Sequence, residues 1–134
     1  MEYEDRMKRG NEVVEKLGRH KMEHQLALYP DLHALSMGHL FGDIWTRPHL
    51  NLRERELITL AANIALARPT GNQSHYRSAH HIGITKEQIM ELIIHVGHYA
   101  GWPTIAHAIR QYAEVLKEDA EKAQGPGAKG TQGG

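Results

Sequence analysis

There is no cysteine in the chain of 134 residues. That absence excludes disulfides, a thiol nucleophile, a CxxC redox pair and thiolate-held metals. There is no surplus of charge either: 16 lysines and arginines balance 16 aspartates and glutamates. A neutral balance gives no electrostatic pull toward nucleic acid or an acidic membrane surface. No apolar run approaches the roughly 18 residues that a spanning helix needs. The opening "MEYEDRMKRG" is charged and does not read as a secretory leader, so a cytoplasmic location is the expectation. No segment alternates like a strand. Gly-rich phosphate loops, GxSxG elbows and HExxH are all missing.

Histidine is abundant instead, with 11 copies, and it is the side chain that titrates near neutral pH. The rest of the pattern is helical. Glu4 to Leu17 reads as a charged helix closed by Gly18. "LYPDLHALSMGHLFGDIWTRP" places Leu32, Leu35, Met37, Leu40, Phe41 and Ile44 at helical spacing, with Pro48 as its stop. Asn51 and Glu54 form a capping-box pattern ahead of "LITLAANIALA". That stretch is apolar around most of its circumference and predicts burial on all sides. A short helix through "NQSHYRSAHHIG" follows and ends at Gly83. Thr85 and Gln88 form a second box, and Gly101 stops that helix. Pro103 suits the first turn of a last helix running to about Lys122. The reading is one all-α helical bundle of about six helices over residues 1–122. A disordered Gly-rich tail is expected over 123–134.

Three groups of residues are candidates for chemistry. Glu56 and His75 lie on consecutive helices joined by a short loop, so contact between them is open to the fold. A carboxylate beside an imidazole orients it for proton transfer; the alternative is a buried pair that only joins two helices. His95, His98, Tyr99 and Trp102 share one helical stripe. Such a stripe lines a pocket or makes a helix or subunit contact. In "FGDIWTRP", Trp45 offers an apolar wall and Arg47 a bidentate carboxylate anchor. The pairs His20/His24 and His95/His98 have chelating spacing, but no third and fourth ligands follow. No functional metal is expected.

Taken together, "FGDIWTRP", "LNLRERELITLAANIALAR", "HYRSA", "GITKEQIMELI" and "YAGWPTIAHAI" resemble the carboxymuconolactone decarboxylase family. The resemblance extends from about Asp5 to about Asp119, and it follows the γ-carboxymuconolactone decarboxylase branch in order and spacing. It implies the alkylhydroperoxidase D-like fold and a homo-oligomer, trimer or hexamer. In the peroxidase-type branch a CxxC precedes a histidine that matches His75, and the cysteine positions fall on Arg68 and Gly71. A thiol peroxidase is therefore not expected. A relay glutamate of that branch matches Glu56.

The resemblance implies decarboxylation of γ-carboxymuconolactone to β-ketoadipate enol-lactone, in aromatic catabolism through protocatechuate. The unsaturated lactone is its own electron sink, so no cofactor is expected. His75 is the expected proton donor, oriented by Glu56. Trp45, Arg47, His80, His95 and Tyr99 are the expected substrate-binding residues, with Arg47 preferred over Arg77 as the carboxylate anchor. The alternatives are a cysteine-free family member acting on another small carboxylated or lactone substrate, and a non-catalytic oligomer that binds a small molecule.

Overall fold

In a computed structural model the described residues, 2–19 and 29–132, form six helices and contain no strand. Helix α1 (Tyr3–Lys16) carries Glu4 and Asp5 in its first turn, where the helix dipole favours acid. Gly10, Val13, Val14 and Leu17 are buried at three- and four-residue spacing. Gly18 closes the helix with a φ of +71°, and a side chain there would strike the His81 ring.

Helix α2 begins with one α turn at Pro30–His33 and continues directly as a π-helix at Ala34–Ile44. Proline sits at the start, where its missing N–H costs nothing. The wider winding aligns Met37 with Phe41 and Gly38 with Gly42, and all four are buried. The bond from Trp45 N–H to the Leu40 carbonyl, 2.9 Å, carries the same register one residue past the helix. The helix thus ends at Ile44, before Pro48; Trp45 takes over as its cap. Helices α1 and α2 meet backbone to backbone. A Cβ on Gly10 would lie 1.8 Å from the Met37 carbonyl oxygen, and one on Gly42 would lie 2.3 Å from that of Arg6.

Helix α3 (Leu52–Ala65) opens on the expected capping box: Glu54 N–H donates to Asn51 Oδ1, and Asn51 N–H donates to Glu54 Oε1. The expected all-round burial does not hold in the single chain. Glu56, Leu60 and Ile64 face inward, while Ile58 is 52% and Leu66 62% exposed. One layer of neighbouring helices covers only one side of α3. Helix α4 (Asn72–His81) follows, then α5 (Lys86–Ala100), which has the second capping box at Thr85 and Gln88. Helix α6 (Trp102–Gln132) continues beyond Lys122, where the sequence predicted its end. Each added residue gains a backbone bond once a helix is nucleated.

Two apolar clusters result. Helices α3 to α6 enclose the larger one, built on Leu60, Tyr76, Ile89, Ile93, Ile105 and Tyr112. Helices α1 and α2 enclose Val13, Val14, Leu17, Met37 and Phe41. Ile82 packs against both. The close α1–α2 approach makes Gly42→Ala an informative change. Overpacking there is expected to cost about 1–3 kcal/mol and to lower Tm by roughly 5–10 °C. An unchanged Tm in a thermal scan would contradict the backbone contact.

Candidate active site

Where the two clusters meet, four chain segments converge on one imidazole. Glu56 lies in the second turn of α3 on its inner face and is 0% exposed. His75 lies in the first half of α4. Its Nδ1 is 2.7 Å from Glu56 Oε1, and since an ionised carboxylate only accepts, Nδ1–H donates. That bond leaves Nε2 as the nitrogen not engaged by the carboxylate. Glu56 Oε2 is buried and has no partner among the described residues. The His75 side chain keeps 13% of its surface exposed.

Arg19, just past the end of α1, supplies a cation to the same place. Its Nη2 donates to Ser74 Oγ at 2.9 Å, and Ser74 Oγ in turn donates to the Gly71 carbonyl. Its Nη1 lies 3.3 Å from His75 Nε2 and 3.5 Å from Nδ1. Its Nε is buried and unpartnered among the described residues. Burial pushes the guanidinium pKa down from its ordinary value, and the charge of Glu56 pulls it back up. The group stays a cation. The apolar wall comes from α2. Trp45 lies nearly parallel to the His75 ring, at 15° and 6.4 Å between centroids. Phe41 packs on Trp45 and lies beneath the Arg19 guanidinium.

The structure therefore joins Glu56, His75 and Trp45, and it places the other expected site residues elsewhere. Arg47 is exposed in the turn after α2, beside a surface hollow lined by Arg6, Arg9 and Asp43; its carbonyl accepts from Arg55 Nη2. His80 is held between the Ile84 carbonyl, which accepts from Nδ1–H, and the Tyr112 hydroxyl, which donates to Nε2 at 2.7 Å. Burial pushes the Tyr112 phenol up to about 12. His95 and Tyr99 pack against each other with tilted rings on the outer side of α5, with Tyr99 85% exposed. His95 borders an apolar groove between α3 and α5. His98 donates to the Ile94 carbonyl and packs against Trp102. Among the described residues no three His, Asp or Glu side chains are grouped to hold a metal. The pair His20 and His24 lies outside the described residues. Arg19, Ser74 and Phe41 were not among the expected site residues. An arginine after a terminal glycine has no periodicity to mark it.

Fold and site define an all-helical protein with a buried carboxylate–imidazole pair beside a guanidinium. The model of the carboxymuconolactone decarboxylase family matches residues 30–114. A 4-carboxymuconolactone decarboxylase of Acinetobacter baylyi is 33% identical over 123 residues, covering 88% of this chain and 92% of its own. A nitrosuccinic acid decarboxylase of Metarhizium robertsii is 27% identical over 84 residues, 63% of this chain and 59% of its own. The chain belongs to the carboxymuconolactone decarboxylase family.

Removing Glu56 leaves the buried Arg19 charge uncompensated and the His75 Nδ1–H without its acceptor. Glu56→Ala is expected to lower stability by about 3 kcal/mol or more in urea unfolding. Glu56→Gln, which keeps an acceptor for Nδ1–H, should lose less than half as much. Wild-type stability in Glu56→Ala would mean that the pair is not formed.

Proposed function

We propose that the protein is a cofactor-independent decarboxylase of γ-carboxymuconolactone, giving β-ketoadipate enol-lactone, with His75 as proton donor and Glu56 orienting it. The observation that carries the reading is the buried Glu56–His75 bond beside Trp45, which leaves Nε2 as the imidazole nitrogen not engaged by the carboxylate. The 4-carboxymuconolactone decarboxylase that resembles nearly the whole chain supports the substrate.

The chemistry asks little of the protein. The bond from the γ-carbon to its carboxylate breaks, and the electron pair forms a γ–β double bond. The former α–β pair forms a double bond between the α-carbon and the carbonyl carbon, and the carbonyl π pair passes to the carbonyl oxygen, which takes the charge. The dienolate then takes a proton on the α-carbon from His75 Nε2–H, and solvent restores that proton. One proton is consumed and carbon dioxide is released. A positioned general acid contributes about 10²–10⁴-fold. Trp45, backed by Phe41, covers one face of the His75 ring, and excluding water from that face strengthens charge interactions there. In this reading the protein acts in the cytoplasm, in the catabolism of protocatechuate-derived acids, and not as a thiol peroxidase.

The relative named for nitrosuccinic acid favours a second reading on the same site, in which another small carboxylated molecule loses carbon dioxide. Release of carbon dioxide from γ-carboxymuconolactone separates the two. Under the first reading the wild-type protein turns it over, and His75→Ala loses at least about 10²-fold while keeping its circular dichroism. Wild-type rates in His75→Ala remove the histidine from the mechanism. A folded protein inert to this lactone leaves the second reading.

We also propose that the chain works as a homo-oligomer, trimer or hexamer. Ile58 on α3, Leu66 at its C-terminal cap, Ile94 and Tyr99 on α5, and Trp102 at the start of α6 are exposed. A larger apolar patch of this kind marks an interaction surface. Light scattering at micromolar concentration should give three or six times the 15.1 kDa chain mass. A single chain mass would refute the assembly.

A further inference from the structure

We propose that Arg19 is the oxyanion residue of this site: its guanidinium receives the charge that develops on the lactone carbonyl oxygen as carbon dioxide leaves. The proposal rests on reading the site as a γ-carboxymuconolactone decarboxylase.

A cation here has three candidate tasks. It can hold the carboxylate that departs, the side-chain carboxylate that stays, or the oxygen where charge accumulates. The first opposes the reaction, because it stabilises charge at the place where charge is lost. Position separates the other two. The proton goes to the α-carbon, which is bonded directly to the carbonyl carbon. The retained carboxymethyl group is attached to the γ-carbon, across the ring. His75 Nδ1 is engaged by Glu56, so the proton leaves from Nε2. Arg19 Nη1 stands 3.3 Å from that same nitrogen. A substrate with its α-carbon at Nε2 therefore brings its carbonyl oxygen to Arg19 and its side chain away from it.

The protonation state sharpens the point. To donate, His75 must carry hydrogen on both nitrogens, and an imidazolium accepts nothing. Arg19 Nη1 then loses the imidazole as acceptor. Among the described residues its guanidinium keeps only Ser74 Oγ, and its Nε is buried and unpartnered. The Glu56 carboxylate makes its bond to His75, not to Arg19. A guanidinium held rigid by Ser74 and Phe41, with N–H groups free toward the imidazolium, is a preorganised donor for a developing anion. The charges also match. Glu56, Arg19 and the imidazolium sum to one positive charge, and transfer of the proton to the dienolate returns both partners to balance.

The test compares kcat with KM. Wild type, Arg19→Met and Arg19→Lys are assayed for carbon dioxide release from γ-carboxymuconolactone, with circular dichroism as the folding check. Furylacetate, which has the ring and the carboxymethyl group but no carbonyl oxygen, is titrated into each by calorimetry. The proposal expects Arg19→Met to lose about 10²–10³-fold in kcat, with KM changed by less than about threefold. Arg19→Lys, which keeps the charge, should regain about tenfold of that loss, and furylacetate should bind all three alike. A KM raised about tenfold or more with kcat near wild type, and furylacetate binding lost, would make Arg19 the side-chain anchor and overturn the proposal. Wild-type kinetics in Arg19→Met would overturn it as well. If Arg19→Met does not fold, Arg19→Lys carries the comparison: the proposal expects a fall in kcat, and a change confined to KM overturns it. A wild-type protein that does not turn over the lactone fails the functional reading itself, and that failure is visible before any variant is compared.

Discussion

The hydrogen bond between Glu56 and His75 joins α3 to α4 at a point where the carboxylate is fully buried. A buried charge of this kind is tolerated only when it is paired and hydrogen-bonded. Much of the molecule converges on meeting that demand. The capping box at Asn51 and Glu54 starts α3 so that Glu56 falls on its inner face. Gly71, with a φ of +93°, turns the chain so that α4 returns along α3 with His75 facing it. Arg19 provides the compensating positive charge from the end of α1.

The second structural requirement is steric. Arg19 and Trp45 reach His75 only because α1 and α2 pack with glycine at their crossing, Gly10 against Met37 and Gly42 against Arg6. The π-winding of α2 keeps Phe41 and Trp45 in line toward the imidazole. π-helical winding is uncommon, and where it occurs as single turns it is frequently at functional sites. Here the winding sets Trp45 against the imidazole and Phe41 against Trp45 and Arg19. The site is thus assembled between two small cores rather than inside one.

Much of the helical frame was legible in the sequence because caps and stops are local chemistry. Asn51 with Glu54, Thr85 with Gln88, and the glycines at 18, 83 and 101 mark their boundaries without tertiary information. Glu56 and His75 were legible as candidates, and the family resemblance raised their standing, but spacing alone could not decide their contact. Arg19 was not legible: it follows a helix end, and its place depends on how α1 crosses α2. The stripe at His95 and Tyr99 was legible as a stripe. Its outward direction was not, because an aromatic face at helical spacing looks the same whether a pocket, another helix or solvent lies opposite. The same ambiguity made α3 look buried all round when Ile58 and Leu66 face outward.

The central claim is that a protein-held group, His75 Nε2–H, delivers the proton to one face of the dienolate. The most direct measurement is turnover of γ-carboxymuconolactone in deuterium oxide, with the enol-lactone examined at early times. Delivery by His75 predicts one deuterium on the α-carbon with a single configuration. Deuterium distributed equally between the two faces would contradict the account, because it would mean that free solvent, not the oriented imidazole, completes the reaction.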